Sequence, residues 1–103
     1  SDPSAFFPHS ERAASCIGIR QLLEEAAGKV SLRCLEMILL ADLYGYSMEE
    51  IARLTRSSVS GVKSALHRAR KMVRGGKKSR SAGKIPEQKL EEWSRRIFEE
   101  FSA

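Results

Sequence analysis

The 103-residue sequence predicts an all-α fold: a small bundle of four helices containing a helix-turn-helix, with an amphipathic helix appended at the C-terminus. Three observations predict it. Apolar residues recur at helical spacing in five segments. Serines suited to capping a helix and glycines suited to stopping one bound those segments. A Ser-x-x-Glu box then leads through a short helix and a tight turn into a basic helix.

Residues 1–9 carry two prolines and no period, and read as a linker or arm. Ser10 can cap the first helix, whose stripe is Ile19, Leu22, Leu23 and Ala26 and which Gly28 ends. Ser31 is the next cap. The segment Leu32 to Leu43 is apolar on most faces, as expected of a helix in the middle of a bundle. Gly45 stops it. Ser47 and Glu50 form a capping box, with Tyr46 and Ile51 at the flanking staple positions, and this third helix ends near Leu54 or Thr55. Thr55-Arg56-Ser57-Ser58 reads as a tight turn with a new cap at Ser57 or Ser58. The fourth helix runs to about Val73 on a stripe of Val59, Val62, Leu66, Ala69 and Val73. Residues 10–74 thus form one domain. Residues 75–85 read as a flexible basic linker, and 86–103 as a last helix with Pro86 in a permitted first-turn position and a stripe of Leu90, Trp93, Ile97 and Phe101.

Composition excludes several classes. No run of 18 or more apolar residues exists to span a membrane, and no signal-peptide pattern opens the sequence, so a cytoplasmic protein is expected. Cys16 and Cys34 sit in apolar helical patterns and read as buried free thiols in preference to a disulfide; His9 and His67 have no partner at ligand spacing, so no metal or other cofactor is expected. No nucleophile–base trio, paired acid or phosphate loop is visible, and catalysis has no residues to stand on. Charge is the informative property. Residues 1–50 hold four Lys/Arg against eight Asp/Glu, residues 51–86 hold eleven against none, and residues 87–103 hold three against five. Segregation of this kind is the footprint of a polyanion partner.

Two short helices joined by a tight turn, the second basic on its outer face, describe a DNA-reading helix-turn-helix. At about 100° per residue, Ser60, Ser64, His67, Arg68 and Lys71 fall opposite the apolar stripe, which is expected to seat on Ile51 and Leu54. Lys63, Arg68, Arg70, Lys71 and Arg74 can neutralise phosphates and release counterions. Ser58, Ser60 and Ser64 are short enough for close approach, and His67 and Arg68 can reach base edges.

Tyr46-Ser-Met-Glu-Glu-Ile-Ala-Arg-Leu, followed by Val59-Ser-Gly-Val-Lys-Ser-Ala-Leu-His-Arg-Ala-Arg-Lys, resembles region 4 of bacterial sigma factors, most closely the extracytoplasmic-function group. The specific part is Val62-Lys63-Ser64-x-Leu66-His67-Arg68-Ala69-Arg70, and the resemblance covers roughly residues 11–73. It implies a domain that reads the −35 promoter element and whose upstream helices grip the flap of the RNA polymerase β subunit. Lys63, Ser64, His67 and Arg68 match family positions that face DNA. The surface carrying Leu32, Leu35 and Leu39 is where a polymerase contact falls. The sequence departs from the family at Arg56, where a Gly is common, at Ser57, where an apolar residue is common, at Ser60-Gly61, and at Ala65.

Two readings of the last helix stand side by side. Leu90, Trp93, Ile97 and Phe101 either fold back to enlarge a small core or dock a regulator, a polymerase surface or a second copy. A membrane-surface role is disfavoured by its acidic polar face. Competing functions are a sigma-like protein-interaction module that binds an anti-sigma factor, and a free-standing regulator of the response-regulator type; Leu66-His67-Arg68-Ala69-Arg70 argues for sigma over the last.

Overall fold

A computed structural model describes residues 15–75 and 83–102, with side chains as far as Glu100. The described residues form five helices: α1 (Cys16–Ala27), α2 (Leu32–Asp42), α3 (Met48–Thr55), α4 (Val59–Arg74) and α5 (Glu87–Ser102). The expected arm at residues 1–9, the Ser10 cap and most of the 75–85 linker fall outside the described residues. Within them, α1 is capped by Ser15, whose hydroxyl accepts from Gly18 N–H at 3.0 Å. Ser31, Ser47 and Ser58 cap α2, α3 and α4 in the same way, each accepting from a backbone N–H three residues on. After α2, Gly45 takes φ 72°, a conformation that a residue without Cβ adopts at no steric cost, and the chain reverses into α3.

A single apolar cluster holds the bundle. Leu35 and Ile38 from α2 lie at its centre with Ile19 and Leu23 of α1, Ile51 of α3, and Val62 and Leu66 of α4. The same cluster includes Ile85, Leu90, Trp93 and Ile97. Of the two readings open for the last helix, the structure adopts the fold-back one: α5 packs along α1, and α4 packs on α2 and α3.

This corrects the expected partner surface. Leu35, Leu39, Leu90, Trp93 and Ile97 are buried in the apolar cluster, where no surface is left for a partner to touch; Leu32 is half-buried against it. Phe101 lies in α5, and its side chain is outside the described residues. The physical reason is size. A chain this short buries a small fraction of its apolar surface unless every amphipathic face finds a seat.

Charged contacts trim the seat of α5 without supplying most of its energy. Arg20 pairs with Glu87 at 2.5 Å and Lys89 with Glu36 at 2.6 Å, all of them substantially exposed. Lys89 also lies 5.8 Å from the Trp93 ring centre, and Arg96 lies 5.4 Å from that of Tyr44. Exposed pairs contribute about 0–1 kcal/mol each, whereas a fully buried Leu, Ile or Trp contributes about 1.5–3 kcal/mol or more. Burial dominates. Ile97→Ala is therefore expected to lower the unfolding free energy by about 2–5 kcal/mol, read by urea unfolding followed through Trp93 fluorescence. A loss under about 0.5 kcal/mol, the size of an ordinary surface change, would show that α5 is not seated in the core.

Candidate nucleic-acid interface

The α3–turn–α4 unit is built from backbone hydrogen bonds upward. Glu50 N–H donates to Ser47 Oγ at 3.1 Å, and Ser47 N–H donates to Glu50 Oε1 at 2.9 Å, closing the capping box. These bonds to Ser47, the backbone one first, hold the Glu50 carboxyl below its ordinary value. At the other end of α3, Ser57 N–H reaches Ala52 O at 2.8 Å and Arg56 N–H reaches Arg53 O at 3.4 Å. This double return is a Schellman stop, and it needs a left-handed residue. Arg56 supplies it at φ 55° and ψ 43°, at a cost of about 1–2 kcal/mol relative to a glycine free of Cβ.

Helix α4 then starts on Ser58 and is held by a seam. Val62, Leu66 and Ala69 are buried, with Ile51 and Ala52 buried on the α3 side. Leu54, expected in that seam, is 60% exposed; α3 ends one residue later, and its last turn points off the bundle. Ala52 takes the position instead.

With the seam inward, Ser58, Ser60, Lys63, Ser64, His67, Arg68, Lys71 and Arg74 are all exposed. Among the described residues no carboxylate pairs with Lys63, Arg68, Lys71 or Arg74. The first half of the helix is short-sided apart from Lys63, and the second half carries most of the long polar side chains. Ser60, Gly61 and Ser64 in the first half let its backbone approach a surface closely; His67, Arg68, Lys71 and Arg74 in the second half reach outward. A Cβ at Gly61 would stand 3.1 Å from Ser58 Oγ, so the cap itself favours the absence of a side chain there.

Arg70 does not belong to this ridge. Its guanidinium grips Asp42 through both carboxylate oxygens, at 2.5 and 3.2 Å. Asp42 is mostly buried at the C-terminal end of α2, where the helix dipole disfavours a negative charge. An uncompensated carboxylate there is costly, and Arg70, on the flank of α4 nearest α2, is the group that compensates it. Arg70, expected at a phosphate, is thus engaged in a tie within the protein.

Two further ties were not expected from the sequence. Lys29 Nζ donates to Val73 O at 3.1 Å, at the carbonyl end of α4. Arg33 Nη2 donates to Thr55 O at 2.6 Å and to Ser57 Oγ at 3.2 Å, at the turn that begins it. Arg53 and Arg56 are also exposed beside that turn. Membership of the acid-free stretch could have flagged these last two. No group of three or more His, Cys, Asp or Glu that could hold a metal occurs among the described residues. No helix among them is long and apolar enough to cross a membrane.

Residues 20–73 match the family model described as sigma-70, region 4. No curated protein and no solved structure matches the chain.

The Glu50 carboxyl is depressed in the folded state, so its contribution is complete above the ordinary carboxylate value of 4.5 and is lost as pH falls through the lower native value. Urea unfolding from pH 7 to 2.5 should therefore show a less steep acid loss for Glu50→Gln than for the parent, since Gln keeps the box without titrating. Superimposable pH profiles would count against the capping box as an acid-sensitive element.

Proposed function

This chain belongs to the sigma-70 region 4 family, and from that premise we propose that it is the −35-reading domain of an extracytoplasmic-function sigma factor. A sigma region 4 domain is a non-enzymatic, promoter-DNA-binding part of the transcription initiation machinery. The observation that carries the finer reading is the outward ridge of α4, whose cations pair with no carboxylate among the described residues. Lys63, Lys71 and Arg74 are assigned to phosphates, where they release counterions and make affinity fall with salt. Ser60, Ser64, His67 and Arg68 are assigned to base edges in the major groove, Arg68 having the reach and forked donors to grip a guanine. Ser58 carries no direct contact in this assignment; it caps the helix whose N-terminal turn enters the groove.

The partner is core RNA polymerase, through the β flap. With Leu35 and Leu39 buried in the bundle, the contact falls on what α2 leaves open. That is a groove of 280 Å³ lined by Leu40, Tyr44, Tyr46 and Glu92 among others. A bacterial polymerase partner puts the protein in the cytoplasm.

Selection of bound duplexes from a random pool tests the reading, with enrichment of a −35-like motif as the expected result. Arg68→Ala should then weaken binding to the enriched duplex by about 1–3 kcal/mol and relax preference at one base pair. Lys71→Ala should weaken binding to all duplexes alike and reduce the salt slope by about one. Tight binding to an anti-sigma factor with no duplex enriched would establish the protein-interaction module in place of a promoter reader.

A further inference from the structure

The turn into α4 is polar where an apolar, glycine-bearing turn would close on itself. Arg56 occupies the left-handed position without the freedom of glycine. Thr55 Oγ1 is committed to Ile51 O at 2.7 Å, inside its own helix. Ser57 cannot pack as an aliphatic side chain would, and its hydroxyl turns back to Thr55 O at 3.3 Å. Backbone bonds stop α3 here, but they do not by themselves fix the direction in which α4 leaves.

Beside the apolar seam, a side chain from α2 holds the turn itself. Arg33, 22 residues before Thr55 and 24 before Ser57, brings one guanidinium nitrogen to 2.6 Å from Thr55 O and 3.2 Å from Ser57 Oγ. With the Ser57–Thr55 bond this closes a triangle across the turn. Thr55 O is a carbonyl at the negative end of α3, so a cation there is favoured by the helix dipole as well as by hydrogen bonding. Ser57 is followed directly by Ser58, the cap of α4. Arg70–Asp42 ties the middle of α4 to α2 and Lys29–Val73 ties its end; the Arg33 bonds act on its beginning, where Ser60, Gly61 and Ser64 make close approach possible.

We infer that Arg33 is a positioning residue for DNA reading: it touches no DNA, and sets the angle at which the first turns of α4 enter the groove. The inference rests on the assignment of α4 as the DNA-reading helix. The long side chain of Arg33 carries its charge from α2 to the turn, where the two N–H donors of Nη2 serve Thr55 O and Ser57 Oγ together. Ser57 is its partner rather than an independent cap.

Two readouts test it, using the full chain. The first needs no DNA. Arg33→Met should speed amide exchange at Ser57, Gly61 and Val62 about tenfold, and leave the slowest amides of α1 and α5 unchanged. Uniform acceleration in all helices would overturn the inference in favour of a general contribution to stability, and unchanged exchange would overturn it outright. The second uses the duplex enriched from the random pool, measured across a salt series well below the melting temperature. Arg33→Met should weaken binding about tenfold with an unchanged salt slope. A slope reduced by about one would overturn the inference by identifying Arg33 as a phosphate contact. Ser57→Ala, which changes no charge, should cause a smaller loss of the same kind, and the double variant should lose less than the two losses combined, as coupled partners do. Fully additive losses would refute the pairing. If no duplex is enriched, the DNA-reading assignment fails while the exchange result still decides whether Arg33 orders the turn.

Discussion

The structure depends on the aliphatic seam between α4 and the helices beneath it. Val62, Leu66 and Ala69 lie against Ile51, Ala52 and the apolar side of α2, all of them buried. Helical geometry then leaves little choice about the rest. At 3.6 residues per turn, fixing that stripe inward fixes the serines, the histidine and the cations Lys63, Arg68, Lys71 and Arg74 outward. Because the helix carries no acid, the outward charge is not cancelled from within, and it is aimed by the same packing that stabilises the fold. Only Arg70, on the flank of the seam, is drawn into the protein, where Asp42 needs it.

Most of the fold was legible because it is written in local chemistry. Ser31, Ser47 and Ser58 each accept from a backbone N–H three residues on, and such a contact needs nothing beyond its own segment. Gly28 and Gly45 mark ends for equally local reasons. The start of α1 was harder to place, because Ser10 and Ser15 both precede a stripe that becomes periodic only at Ile19. Leu54 stands three residues after Ile51, at seam spacing, yet whether the last turn of so short a helix still faces the bundle depends on where its neighbours lie. The ties made by Arg33, Arg70 and Lys29 span 22 to 44 residues, and no pattern within one element announces them. The amphipathic face of α5 was evident in the sequence; what would cover it was not.

The covering of that face changes how the domain is understood. Side chains that a bare four-helix reading leaves on the surface of α1 and α2 are interior once α5 is in place. Its attachment is apolar at the centre and ionic at the rim, with Arg20–Glu87 and Lys89–Glu36 outermost. Salt screens exposed pairs strongly and buried apolar contacts hardly at all. Ionic strength that screens the rim pairs therefore leaves the apolar seat of α5 intact.

The connection between α4 and α5 begins and ends at one corner of the molecule. Lys29 holds the carbonyl of Val73, and Gly83 N–H donates to Ala27 O at 3.2 Å, so both anchors sit on the α1–α2 bend. Inserting flexible residues between fixed, neighbouring ends costs little: each doubling of such a segment costs only about 0.6 kcal/mol of closure entropy. This corner is consequently the natural place to lengthen the protein, for instance with a reporter peptide, since added residues need not shift the seat of α5 beside it.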